Sequence, residues 1–376
     1  MKETIAITIE SMRGGGTQRV CSYLIEGLVN HGTGVHLITI LGSDTDFFKV
    51  PAKVDRHVLW SSGPSFSLLS AIYGNMRRVL EMRRAVKKSG CTCLISFIST
   101  HNIIAVLSCV GLDVQVIISE RNDPRYQRIG LVWTLLRRLV YPKAAFVTAN
   151  SPQAISYLES MVPKERLRFM PNPVETFGNS SKLVSSRPFF LAVGRLNQQK
   201  AFDILIKAYA RARCQSVLPP LLIIGKGPEE SALKEQITRH GLKDDVTLIG
   251  EVLNVGDYYN QSLALIHPAR FEGMPNVVLE AMGTGTPVVV SKSQLGILDL
   301  VYHEKNGMIF QKDDVEQLAK IIVRLSSDEA FRKNLGRQAQ TSIMNRPKND
   351  GVSDWLDIID FATKSKSKRF QETVNS

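Results

Sequence analysis

Short runs of apolar, often β-branched residues alternate along the chain with longer segments whose apolar positions recur every three or four residues. In the first half the runs fall at 5–9, 35–41, 94–98, 114–119 and 146–149. They read as strands buried on both faces, since a parallel strand covered by helices on each side keeps no polar face. Helices are expected between them at about 17–30, 70–88, 102–110, 131–141 and 152–161. Ser151-Pro152 fits an N-cap followed by proline at the first helical position. From 171 to 188 the pattern gives way to prolines and small polar residues, which mark a linker.

Beyond the linker the alternation restarts. Strands are expected at 189–193, 221–224, 246–249, 263–267 and 288–291, with helices at about 202–212, 229–240, 255–261, 275–282, 315–325 and 329–345. Ser326 and Glu329 have the spacing of a capping box for the last of these. A final apolar segment, 352–362, runs into a basic tail with Lys364, Lys366, Lys368 and Arg369. Strand–helix alternation repeated twice predicts an α/β chain of two doubly wound, Rossmann-like domains facing a cleft, with ligands at the carboxyl ends of the strands. The expected boundaries are 1–170, a linker at 171–188, 189–350, and a terminal segment at 351–376.

The 376 residues are too many for one ordinary core, which agrees with two domains. No apolar run of about 18 residues is present, so no membrane-spanning helix is expected. The start of the chain lacks a signal-peptide layout. Five scattered cysteines predict a cytosolic protein with reduced thiols, and Cys91 and Cys93 read as packing residues without zinc partners. The net charge of +12 is uneven. Residues 1–186 hold 22 Lys and Arg against 13 Asp and Glu. Arg77, Arg78, Arg83, Arg84, Lys87 and Lys88 share a segment with Val79, Leu80, Met82 and Val86, while Arg137 and Arg138 lie beside Trp133, Leu135, Leu136 and Leu139. Such segments suit either an anionic membrane surface or a solvated basic helix face. Few aromatics interleave with the charges and no nucleic-acid module is recognisable, so nucleic acid is not an expected partner.

Three segments carry candidate chemistry. Gly14-Gly15-Gly16 follows the first strand and opens the first helix, where glycines permit close approach and positive φ and helix N–H groups attract an anion. It is not Gly-x-Gly-x-x-Gly and no acidic residue ends the second strand, which disfavours a dinucleotide and a dehydrogenase. Gly194-Arg195 with Lys200 also joins a strand to a helix, and there a guanidinium fork and a mobile ammonium can meet one diphosphate. The third segment runs from Arg270 to Gly283. Pro275 suits the first turn of a helix and Gly283 its end. Glu272 then precedes the helix and Glu280 lies within it, only about 7.5 Å of rise beyond Pro275. Two such carboxylates suit hydroxyls at opposite ends of a nucleotide sugar, with the amides of the helix start facing its phosphates. A metal, hydrolytic acid–base work, or a buried Glu280 satisfied by backbone groups are the other readings.

Together these segments resemble glycosyltransferase family 4, retaining enzymes of GT-B architecture. Glu272 and Glu280, with Gly273, Met274, Pro275 and Asn276 between them, match the family's paired glutamates. Gly194-Arg195 with Lys200 matches its diphosphate site, and Gly225-Lys226-Gly227-Pro228 its Gly-x-Gly-Pro turn. Pro171-Asn172-Pro173-Val174 resembles the entry to the interdomain linker, Gly14-Gly15-Gly16 the acceptor-side loop, and Leu295-Gly296 a later turn. The resemblance implies that Arg195 and Lys200 neutralise the departing nucleoside diphosphate. It gives Glu280 the ribose hydroxyls, and Glu272 with the 273–276 amides the sugar. It has the terminal segment cross back onto the first domain, the cleft close to exclude water, and no metal take part. Arg121 stands about where many members carry a histidine facing the donor sugar, and His101, at the end of a neighbouring strand, offers an imidazole. Asp44-Thr45-Asp46 mimics a metal motif of another fold and reads as a surface loop.

The function expected is transfer of a hexose or N-acetylhexosamine from a UDP-sugar to a polyprenyl-diphosphate-linked saccharide. The setting expected is the inner face of a bacterial membrane, in cell-surface polysaccharide synthesis such as that of lipopolysaccharide O-antigen. A GDP-mannose-dependent transferase, a nucleotide-sugar epimerase and a non-catalytic UDP-binding subunit are the alternatives.

Overall fold

A computed structural model describes residues 4–59, 68–127, 129–173, 177, 183–293, 296–345 and 351–374. The chain forms two compact units: Met1–Pro173 with Asn349–Ser376, and Val174–Lys348. Much of the expected linker (174–176 and 178–182) and Leu295 lie outside the described residues.

The first unit carries β1 (Thr4–Thr8), α1 (Gly16–Asn30), β2 (Gly34–Thr39), β3 (Asp55–Val58), α2 (Leu68–Ser89), β4 (Cys93–Phe97), α3 (Ser99–Cys109), β5 (Gln115–Glu120), α4 (Leu131–Val140), β6 (Phe146–Ala149), α5 (Pro152–Leu158) and β7 (Leu167–Phe169). The second carries β8 (Phe189–Val193), α6 (Phe202–Arg213), β9 (Leu221–Ile224), α7 (Glu230–Arg239), β10 (Val246–Gly250), α8 (Val255–Gln261), β11 (Ser262–His267), α9 (Asn276–Gly283), β12 (Val288–Ser291), β13 (Met308–Phe310), α10 (Val315–Ser327) and α11 (Glu329–Met344). A last helix, α12 (Ser353–Val374), belongs to the first unit.

Both sheets are wholly parallel. Their orders are β3-β2-β1-β4-β5-β6-β7 and β10-β9-β8-β11-β12-β13. In each sheet the chain starts in the middle, winds outward one way and returns to wind the other. The reversal lies between β1 and β4 in one sheet and between β8 and β11 in the other. Loops leaving such a pair diverge to opposite faces and open a crevice, the usual ligand position in this architecture. Each sheet is packed on both faces. In the first unit Ile103, Val106 and Met82 sit on one side, while Val20, Leu24 and α12 residues Trp355, Ile358 and Ile359 sit on the other.

Several local expectations need correction. Strands β3, β7 and β13 lie at sheet edges and are only three or four residues long, too short for a strand to be read from the sequence. The cap of α11 is Asp328, whose side chain accepts from the Phe331 amide, because Ser326 is still inside α10. Pro275 is the N-cap of α9 and Asn276 its first residue. Asp46 is more than a loop residue, since its carboxylate accepts from both terminal nitrogens of Arg56 on β3. Ser151 does cap α5, accepting from the Ala154 amide at 3.2 Å. Cys91 and Cys93 are buried and unbridged.

Candidate functional site

The second sheet's reversal point gathers the principal motifs. β8 ends at Val193, and the chain passes Gly194, Arg195 and Leu196 into a short turn, Gln198–Lys200, whose end is fixed by Asn197 accepting from the Lys200 amide at 3.1 Å. Leu196 is fully buried, which pins the turn while leaving Arg195 exposed. Next door, β9 is followed directly by Gly225. A Cβ there would stand 2.0 Å from the Gly194 carbonyl oxygen, and one on Gly227 would stand 2.2 Å from that of Leu196. Gly225 also has φ +138°, so its place is open only to glycine. The Gly-x-Gly-Pro turn thus supports the Arg195 turn by direct backbone packing. The Leu196 amide donates to the Lys226 carbonyl at 3.0 Å, and the Glu229 amide to the Leu196 carbonyl at 3.0 Å.

Leaving β11, the chain runs through Arg270 and Glu272 to α9. The Arg270 amide donates to the Gln199 carbonyl at 2.8 Å. Its guanidinium forks onto Asp203 (3.0 and 2.8 Å) and donates to the Gln198 carbonyl at 2.7 Å. Asp313 adds a contact at 3.1 Å. Arg270 therefore staples the two switch-point loops together. Its neighbours hold it charged, pushing its pKa further up through the Asp203 hydrogen bond. Glu272 is buried, and its Oε1 accepts from the Lys200 ammonium and from Gln199 Nε2 at 3.2 Å. His267, fully buried at the end of β11, places Nε2 3.9 Å from the same oxygen. Burial, then the Lys200 charge, holds this imidazole neutral. Glu280 is buried within α9, where Tyr259 Oη donates to its Oε2 at 2.9 Å.

Lys200 and Glu272 are thus brought together, but as a pair with each other rather than as a free cation beside a free carboxylate. The Arg195 side chain has no hydrogen-bond or ionic partner among the described residues. Gly273, Met274, Pro275 and Asn276 are all buried at the start of α9. Glu280 is held by a side-chain phenol, a partner not foreseen in the sequence. Sequence reasoning missed Gln199, Asp203, Tyr259 and His267. Of these only His267 carried a signal, a lone polar residue ending an apolar strand.

In the first unit the reversal point has Gly14, Gly15 and Gly16 after β1 and Ile98, Ser99 and His101 after β4. The three glycines are exposed and none lies in the left-handed region that glycine permits: Gly15, the N-cap of α1, is extended. Ile98, by contrast, has φ +79°, a strained conformation for a β-branched residue at a strand–helix junction. His101 lies inside α3 rather than at a strand end, and is buried with Nε2 unpartnered; burial lowers its pKa to about 4. Arg121 is buried too. Its Nη1 donates to the Met170 carbonyl (3.1 Å) and Asn172 Oδ1 (3.0 Å), and its guanidinium lies over the rings of Phe97 and Trp355. Through Trp355 it ties α12 to the sheet. Among the described residues no three His, Cys, Asp or Glu side chains gather where a metal ion could be held.

The pattern matches known proteins. Residues 14–176 match the model of Glycosyltransferase Family 4, and residues 174–342 that of Glycosyl transferases group 1. A relative in Campylobacter jejuni is a GalNAc-α-(1→4)-GalNAc-α-(1→3)-diNAcBac-PP-undecaprenol α-1,4-N-acetyl-D-galactosaminyltransferase. It is 26% identical over 94% of this chain and 98% of its own. Among solved structures, sucrose-phosphate synthase from Thermosynechococcus elongatus superposes with a TM-score of 0.77 at 20% identity, over 100% of both chains. Anabaena HepE in complex with UDP gives 0.74 at 17% identity, over 98% of this chain and 100% of that one. With two family matches running end to end from residue 14 to residue 342 on two doubly wound sheets, the chain belongs to glycosyltransferase family 4 and has the two-domain GT-B fold.

Proposed function

We propose that this glycosyltransferase moves a hexose or N-acetylhexosamine from a UDP-sugar to a polyprenyl-diphosphate-linked saccharide, with retention of configuration, at the inner face of a bacterial membrane. The observation that carries the reading is the set Arg195, Lys200, Glu272 and Glu280, supplied by the loops of one reversal point and by the helix that follows it. The Campylobacter relative acts on an undecaprenol-diphosphate-linked saccharide and HepE binds UDP, which supports the acceptor and donor classes.

Breaking the bond between the sugar C1 and the diphosphate oxygen leaves negative charge on the diphosphate and positive charge on the sugar ring. Arg195 and Lys200 neutralise the first, aided by the amides that open α9. One such preorganised donor is worth about 3 kcal/mol in a site shielded from water. Donor binding exchanges partners at Lys200: the ammonium turns from Glu272 to the phosphates, and the carboxylate is released to a sugar hydroxyl. Glu280, aimed by Tyr259, takes the ribose hydroxyls. Gly14–Gly16 and His101 stand on the acceptor side, at the first sheet's reversal point. The nucleophile is the acceptor hydroxyl, whose proton leaves with the departing diphosphate.

The test is incubation of the purified protein with UDP-sugars, GDP-mannose and lipid-linked acceptors. UDP release that depends on both UDP-sugar and acceptor is the expected result, with Arg195→Ala and Glu280→Ala strongly impaired. An epimerised donor without acceptor, or UDP binding without turnover, would overturn the reading.

A further inference from the structure

We infer that α2 and α4 form a docking face that seats the enzyme in the headgroup layer of an anionic bilayer. The purpose of such a face rests on the lipid-linked acceptor proposed above; the exposed residues that mark it do not depend on that reading. Single exposed apolar residues are ordinary, but ordered rows of them are not. On α4, Leu131, Val132, Leu135 and Leu139 are between 59% and 90% exposed. On α2, Ile72, Tyr73, Met76 and Leu80 are between 49% and 65% exposed. Both rows have the same spacing, i, i+1, i+4 and i+8, which keeps each on one stripe of its helix. The two helices flank α3, which is itself almost wholly buried.

The opposite faces are already committed. Met82, Ala85 and Val86 of α2, and Val140 of α4 with Trp133 and Leu136, pack into the core beneath. Arg137 fixes the roll of α4. Contrary to the sequence expectation it is no surface charge. It is 2% exposed, with Nε 3.9 Å from Glu120 Oε1, Nη1 on the Pro124 carbonyl at 3.4 Å and Nη2 on Gln127 at 3.2 Å. With Arg137 held inward, Leu135 and Leu139 face out.

The charge that remains selects the occupant. Arg84, Lys87, Lys88 and Arg138 are exposed, in or near the last turns of the two helices, and none pairs with an acidic side chain among the described residues. Apolar stripes beside unpaired cations suit anionic lipid, and the same cations repel a second copy of this chain. Among the described residues no helix is long and apolar enough to cross a membrane, so the face lies on the bilayer rather than spanning it.

The experiment is co-sedimentation of the full chain with vesicles of phosphatidylglycerol and phosphatidylcholine, and with phosphatidylcholine alone. Wild type is expected to bind the anionic vesicles and largely ignore the neutral ones. L135Q/L139Q is expected to bind at least about tenfold less, and R84Q/K87Q/K88Q to lose most of the anionic preference. V217Q, an exposed apolar residue of the second unit, is the control and should bind like wild type. Unchanged melting confirms that the variants fold. Transfer to a water-soluble acceptor analogue should be unchanged in L135Q/L139Q, which separates this inference from the proposed reaction. Failure of wild type to bind, or unimpaired binding by L135Q/L139Q, overturns it. So does a concentration-dependent dimer that L135Q/L139Q abolishes.

Discussion

The buried hydroxyl of Tyr259 donates to Oε2 of Glu280 at 2.9 Å, linking α8 to the helix that follows the switch-point loop. A hydrogen bond to a charged group is worth about 1.5–3 kcal/mol. Tyr259→Phe keeps the packing and removes that bond. The donor KM should rise about tenfold with kcat little changed, because ribose contacts hold ground state and transition state alike. Steady-state kinetics and UDP titration check this; an unchanged KM would show that the phenol does not aim Glu280.

Lys200 and Glu272 should act as one unit. Lys200→Ala and Glu272→Ala are each expected to lower kcat/KM by about a hundredfold or more. The double variant should fall well short of the product of the two losses, since each single change disables the same exchange. Fully multiplicative losses would separate their roles.

Two glycines of the second unit with positive φ should respond differently. Gly225→Ala drives a methyl into the Gly194 carbonyl, so about 3 kcal/mol of stability and most UDP binding should be lost. Gly241→Ala, at φ +66° with nothing within 4 Å, should cost only about 1 kcal/mol and leave UDP binding intact. Chemical denaturation and calorimetric UDP titration of both variants distinguish the two cases.

His101 should make the fold acid-sensitive. Its pKa drops from 6.5 to about 4 in the folded chain. Between these values the unfolded chain binds a proton that the native one refuses, so stability falls as pH falls through that window. From about pH 7.5 to about pH 5 the loss from this residue is about 2 kcal/mol. Urea midpoints at the two pH values, compared with those of His101→Gln, should show the variant less acid-sensitive by that amount. Equal slopes would mean that the imidazole is protonated in the native state.

Trp355 should hold α12 on the first sheet. Trp355→Ala removes the ring that packs against both Arg121 and Phe97, and a loss of about 3–5 kcal/mol is expected. UDP affinity should survive wherever the fold does, because the proposed donor residues lie in the other unit. Thermal melts paired with UDP titration would reveal a weakened donor site if that separation is wrong.

By itself the sequence determined the alternation and the motifs. Parallel strands covered on both faces must be continuous apolar runs, so β8, β9 and β12 could be read to the residue, and Pro275 and Gly283 punctuate the helix that carries Glu280. Edge strands such as β3, with Asp55 and His57 exposed, carry no such run and are defined only by the neighbour they pair with. Partner choice also waited for the tertiary structure. Lys200 meets Glu272 across 72 positions because the sheet sets β8 beside β11, and Arg137 turns inward because Glu120 ends the strand below it. A charge in a sequence has no direction; burial opposite another charge supplies one, and burial belongs to the fold.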